Sequence, residues 1–157
     1  MPDISAVKSY LQEQGIEVWE YQQATPTAPA AAAAVGCSVA EIAKTLLFLV
    51  GGRPVAVVTC GDMRVNSSRL KQAFGLSGKV KLPQEEEVVR HTGYAPGGVC
   101  PFLLPAELPL LLDQSLKRFA RVYAAAGNPF SAVPVSWQQL EQLTGGRSAD
   151  LCEPFRS

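Results

Sequence analysis

The residues best suited to chemistry in this chain lie in two short stretches. The first is Gly93-Tyr94-Ala95-Pro96-Gly97-Gly98-Val99-Cys100-Pro101-Phe102, a run poor in long side chains. Its glycines let a ligand approach the main chain closely, and Pro96 and Pro101 fix φ and remove two competing donors, so the run suits the presentation of backbone N–H groups. Taken alone, it also reads as a Gly/Pro-rich turn between a helix and a strand. The second stretch is Glu41-Ile42-Ala43-Lys44-Thr45-Leu46-Leu47-Phe48, where Lys44 is the one charge leading into an apolar strand. Such a lysine either snorkels to the sheet edge or supplies a cation to a site. The other reactive side chains lack their usual context. Ser67, Ser68 and Ser115 stand outside any G-x-S-x-G turn, and His91 reads as a helix-terminal residue interacting with the dipole. Cys100 is the only thiol near the glycine run, and Cys37, Cys60, Cys100 and Cys152 form no C-x-x-C pair, which disfavours zinc and disulfide frameworks. Neither a phosphate-binding G-x-x-x-x-G-K-[ST] nor an H-E-x-x-H is present, so a nucleotide or metal enzyme is also disfavoured.

The elements that must position these residues follow from the switching hydrophobic period. Ile4, Val7, Tyr10 and Leu11 give a short helix, opened by Asp3 and ended by Gly15, and Glu17 to Tyr21 reads as a strand. Thr25-Pro26-Thr27-Ala28-Pro29 opens an alanine-rich helix closed by Gly36. Ser38 and Glu41 have capping-box spacing for a one- or two-turn helix running into Lys44. Thr45 to Val50 and Pro54 to Cys60 flank Gly51-Gly52 as a nearly fully buried hairpin. Asn66 caps a helix through Phe74, Val80 to Leu82 makes a strand, and Pro83 sits at the first turn of an acidic Glu85-Glu86-Glu87 helix. Leu108 to Leu112, Arg121 to Ala126 and Ala132 to Val135 read as strands, and Ser136 caps a last helix through Leu143. This order predicts an α/β (α+β mixed) fold with one curved mixed sheet.

A chain of 157 residues with 47% apolar content suits one domain, 1–157. Fourteen basic residues balance fourteen acidic ones, so any nucleic-acid contact must be local. The N-terminus lacks a basic and apolar leader, and no apolar run approaches the roughly 20 residues that span a bilayer. A reduced, cytoplasmic protein with no membrane partner is the expectation.

Four segments in order, Glu41 to Phe48, Gly93 to Pro101, Leu112-Asp113-Gln114-Ser115-Leu116 and Val122-Tyr123-Ala124-Ala125-Ala126-Gly127, resemble the YbaK/prolyl-tRNA-synthetase-associated family of free-standing aminoacyl-tRNA deacylases. The resemblance covers nearly the whole chain. It implies a barrel-like curved mixed sheet ringed by helices, and hydrolysis of the ester of mischarged tRNA without a metal, cofactor or covalent intermediate. Lys44 matches the family's functional lysine, and Gly97 and Pro101 match its G-x-x-x-P loop, which orients the aminoacyl group and the attacking water. Thr45, Gly98, Val99 and Gly127 fall at substrate-binding positions by the same resemblance, Gly127 reading equally as a turn before Pro129. Tyr21 falls where some members line the pocket with tyrosine, a half-buried strand aromatic being the plain alternative.

Two departures bear on the substrate. The cysteinyl-tRNA branch carries an aspartate where this chain has Ala132 and an aromatic where it has Thr27. Small residues at both positions suit alanine, serine, threonine or 2-aminobutyrate on tRNA(Pro), with prolyl-tRNA synthetase as a possible partner. Between Asp62 and Lys81, Arg64, Arg69, Lys71, Lys79 and Lys81 face one aspartate, which marks either a tRNA-binding patch or an ordinary solvated surface. Lys117, Arg118 and Arg121 form a smaller cluster. A non-catalytic module that binds a tRNA end or a nucleotide stays open beside the deacylase.

Overall fold

The computed structural model describes residues 4–25 and 27–155. Asp3, expected to open the first helix, and Pro26, expected near the start of the second, lie outside them. Helix α1 (Ile4–Glu13) buries Val7 and Leu11, and β1 (Trp19–Glu20) is shorter than the five-residue strand expected there. Helix α2 (Ala28–Val35) opens where Thr27 Oγ1 accepts the Ala30 N–H at 3.2 Å, and closes at Gly36 in the left-handed region. A 3₁₀ turn, Val39–Glu41, follows; the Ser38 N–H and hydroxyl both donate to Glu41 Oε1, at 3.0 and 2.9 Å. The turn stops at Glu41 instead of running to Lys44. Strand β2 (Ile42–Val50) begins there, so Lys44 is its third residue.

Strands β2 and β3 (Arg53–Cys60) form the expected hairpin about Gly51-Gly52, in register from Ala43 opposite Cys60 to Val50 opposite Arg53. Val55, Val57 and Val58 have no exposed surface, and burying each such side chain is worth about 1.5–3 kcal/mol. The chain continues through β4 (Met63–Val65), α3 (Ser67–Phe74), β5 (Val80–Lys81), α4 (Glu85–Thr92), β6 (Leu110–Asp113), β7 (Val122–Ala124), β8 (Ser131–Val135), α5 (Trp137–Thr144), β9 (Arg147–Ala149) and β10 (Cys152–Pro154). Asn66 and Ser136 cap α3 and α5 as expected, accepting from the Arg69 and Gln139 N–H groups.

The main sheet is mixed, ordered β1-β8-β7-β2-β3-β6-β9 with β5 also on β2. Strand β2 runs parallel to β7 and antiparallel to β3 and β5. One curved sheet was expected, but β4 and β10 form a second, two-stranded sheet. Their sequences, Met-Arg-Val and Cys-Glu-Pro, are too short to show alternation.

The pairing of β2 matters most for function. Strand β3 covers one edge of β2 from Ala43 to Val50. The opposite edge meets β7 only at Ile42 and Ala43, and β5 only at Leu49 and Val50. Between those contacts, residues 44–48 border an opening in the sheet.

Beneath the hairpin lies a buried polar cluster. Asp113, 1% exposed, accepts the Leu151 N–H on Oδ1 at 2.9 Å and the Ser115 N–H on Oδ2 at 3.1 Å, with Thr59 Oγ1 at 3.5 Å. It thereby ties the turn after β6 to the segment leading into β10.

Candidate active site

A cavity of about 430 Å³ fills the opening beside β2. Ile42 to Leu47 form its floor, Ala28 and Ala31 of α2 one wall, and Tyr123 to Ala125 with Ser131 and Ala132 another. Leu82, Pro83 and Val88 bound its far end, and Pro96, Gly97 and Val99 of the glycine run overhang it. The alanines explain the room: α2 turns side chains of one carbon toward the site, and a helix of alanines needs no larger ones to form. Among the described lining residues none is His, Cys, Asp or Glu.

Two polar groups stand out. Thr45 Oγ1 is the one buried side-chain oxygen or nitrogen among the described residues without a hydrogen-bond partner. Such a hydroxyl carries a desolvation cost that a ligand can relieve. Lys44 also lines the cavity, with its Nζ 4.8 Å from the centroid of the Phe155 ring. Burial lowers the pKa of this ammonium, because desolvation disfavours the charged form. Cys152, Asp62 and Cys60 oppose that shift only partly, and Asp62 is itself held in a bidentate pair with Arg118 at 2.7 and 3.1 Å.

The glycine run folds around close backbone contacts. The Gly98 N–H closes a turn onto Ala95 O at 3.0 Å, with Gly97 at φ 86° between them. A Cβ on Gly98 would lie 2.8 Å from Asn128 Cα and 2.9 Å from Gly127 O. Only glycine lets the run lie directly on the segment after β7. The Tyr94 hydroxyl, anchored to Phe102 O, and the fully buried Cys100 hold the base of the run. Burial pushes the Cys100 thiol up to about 12, which leaves it protonated and inert at neutral pH. His91 sits in the last turn of α4, away from the cavity lining.

The structure brings Lys44, Thr45, Thr27, Gly97 and Val99 to one cavity, together with Ala132. Four other positions expected at the site lie outside its lining. Gly98 is used in the turn, and Gly127 backs it. Pro101 borders a separate depression with Tyr10 and Leu104. Tyr21 donates its N–H to Phe130 O at 2.7 Å, and burial, together with neighbouring Cys37 and Tyr123, raises the pKa of its phenol. The walls contributed by Ala28, Ala31, Leu82, Val88 and Tyr123 were not foreseen. Apolar residues at helix and strand positions carry no mark of a site until the sheet opening is seen.

The expected basic patch divides. Arg64 binds Glu153 at 2.8 and 3.0 Å, and Arg69 pairs with Asp150 at 3.3 Å. Lys71 lies in the last turn of α3, while Lys79 and Lys81 border a different hollow. The smaller cluster also disperses: Lys117 lies over Trp137, Arg118 binds Asp62, and Arg121 Nε donates to the Tyr123 hydroxyl at 3.0 Å.

Fold and cavity define an α/β domain whose cavity is shaped by main chain, methyl groups and one desolvated cation. The model of the aminoacyl-tRNA editing domain matches residues 22–143, and the chain belongs to that family. It is 33% identical over 141 residues to the uncharacterized protein YwhH of Bacillus subtilis (strain 168), covering 88% of each chain. It is 32% identical over 112 residues to the proline–tRNA ligase of Leuconostoc citreum (strain KM20), spanning 71% of this chain but only 19% of the ligase. A solved structure of a candidate trans-editing enzyme for prolyl tRNA synthetase superimposes with a TM-score of 0.85 at 33% identity over 98% of both chains. Among the described residues, no helix is long and apolar enough to cross a membrane.

Proposed function

We propose that this protein is a trans-editing hydrolase that cleaves the ester of tRNA(Pro) mischarged with alanine, serine, threonine or 2-aminobutyrate. The observation that carries this reading is the cavity itself, sized by Thr27, Ala31 and Ala132 and bordered by Lys44 and Gly97. The matched proline–tRNA ligases support the choice of tRNA. In this reaction a water oxygen bonds to the ester carbonyl carbon, and the bond from that carbon to the ribose oxygen breaks. The water proton passes to the ribose oxygen, and free amino acid leaves the tRNA. No described lining residue is a conventional general base, so the substrate's own amino group or neighbouring ribose hydroxyl relays the proton. Lys44 stabilises charge developing on the carbonyl oxygen or holds the terminal adenosine, and the main chain at Gly97 orients the water. The Thr45 hydroxyl, lacking a partner among the described residues, is available to the aminoacyl group.

The missing acid–base side chain also favours a second reading, a module that binds the tRNA end without turnover. Hydrolysis of tRNA(Pro) charged separately with alanine, serine, threonine, 2-aminobutyrate, cysteine and proline distinguishes them. The deacylase releases at least one small amino acid, spares proline, and loses this activity in Lys44→Ala. Decay of all six esters at the buffer rate, with tRNA still bound, supports the binding module.

A further inference from the structure

Leu82, 76% exposed, borders the cavity and also a second hollow of about 460 Å³ formed by Leu49, Gly51, Gly52, Lys79, Lys81, Gln84 and Glu87. The second hollow meets the cavity at Leu82, at the end of the opening that β5 closes by pairing with Leu49. Its distal wall is fixed by backbone packing: Lys81 pairs with Leu49, Gly51 N–H donates to Lys79 O at 3.0 Å, and a Cβ on Gly78 would lie 2.6 Å from Gly51 Cα.

The lysines in this hollow differ from the two arginines of the basic segment; Lys71, on α3, forms no ion pair among the described residues either. Lys79 and Lys81 are exposed and form no ion pair among the described residues, whereas Arg64 and Arg69 are paired to carboxylates. Glu87, the one carboxylate lining the hollow, accepts the Gln84 N–H at 3.0 Å and lies 3.8 Å from Arg90. Glu85 and Glu86 are outside the lining. Two unpaired ammonium groups in a hollow that adjoins the cavity at Leu82 suit a charged polymer with a reactive end.

We infer that the acceptor strand of tRNA enters over Leu82, with its backbone phosphates at Lys79 and Lys81 and its terminal nucleotide directed along β2 to Lys44. Arg64 and Arg69 take no part. This rests on the proposed function for the identity of the nucleic acid, but binding can be measured without turnover. The test is the affinity of unacylated tRNA(Pro) transcript, measured as a function of salt, for wild type, Lys79→Gln/Lys81→Gln, Lys79→Glu/Lys81→Glu and Arg64→Gln/Arg69→Gln. Circular dichroism establishes that each variant is folded.

The expected result is a loss of about tenfold or more for the glutamine pair at physiological salt, and a larger loss for the glutamate pair. The slope of log affinity against log salt should become shallower by about 1.4, the value for two single-strand phosphates. The arginine pair should change affinity by less than about threefold. A folded Lys79/Lys81 variant that binds within threefold of wild type at an unchanged slope would overturn the inference, as would a greater loss from the arginine pair. Failure of ester hydrolysis with these binding differences intact would count against the deacylase and not against the route.

Discussion

The two edges of β2 contrast. One is paired with β3 through eight residues and faces strands with no exposed valine surface; the other is held only at its ends and borders the cavity. A sheet interior normally leaves no such gap, because unpaired main-chain groups away from water are costly. Here β7 and β5 are too short to meet along β2, and small side chains keep the gap open. The closed edge supplies stability, and the open edge leaves the room that forms the cavity.

The largest expected effect falls on the closed side. Asp113→Ala removes a buried acceptor and leaves the Leu151 and Ser115 N–H groups unsatisfied, so urea denaturation should show a loss of about 3–5 kcal/mol. On the open side Lys44→Ala should reduce single-turnover hydrolysis by about 10²–10³-fold, the size of effect seen when one preorganised charge-stabilising group is lost. Lys44→Met should lose activity similarly but melt at a higher temperature than wild type, since it replaces a desolvated cation with an apolar chain.

Gly98→Ala probes the join between the two sides. Its Cβ would meet backbone at 2.8 and 2.9 Å, so the loop must shift, with about 1–3 kcal/mol lost in denaturation and a fall in turnover. Ala132→Val narrows the cavity alone. It should leave stability within about 1 kcal/mol of wild type while reducing hydrolysis of threonyl and 2-aminobutyryl esters more than alanyl, at about 1–3 kcal/mol per methylene.

The smallest effect is the pH dependence. Because the folded-state pKa of Lys44 lies below its ordinary 10.5, the unfolded chain binds more protons between the two values. The cost of burying the ammonium is therefore fully present below the folded value, and stability recovers as pH rises toward the unfolded one. The melting difference between Lys44→Met and wild type should shrink across that alkaline interval, and activity that needs the ammonium should fall there.

Much of this was legible in the sequence, and the gaps have physical causes. The caps at Asn66 and Ser136, the stop at Gly36 and the Gly51-Gly52 hairpin are local signals, and they correspond to elements of the fold. Lys44 and Gly97 stood out as a charge and a backbone feature in apolar surroundings. Whether two strands leave a gap depends instead on pairing between residues about 80 positions apart, as Ala43 with Ala124, and no local pattern encodes it. The alanine wall of α2 reads as helix propensity until the cavity gives it a second meaning. The segment 62–81 showed a charge excess, but its neutralising partners, Asp150 and Glu153, lie far along the chain.

On the proposed function, the substrate's reactive end lies along the open edge of β2. Backbone amide chemical shifts of the folded protein, titrated with the hydrolysis-resistant alanyl amide of 3′-amino-3′-deoxyadenosine, test it most directly. Shifts should concentrate at residues 44–48 and 97–99 and be reduced in Lys44→Ala. Shifts confined to the depression around Pro101 and Leu104, with residues 44–48 unmoved, would contradict it.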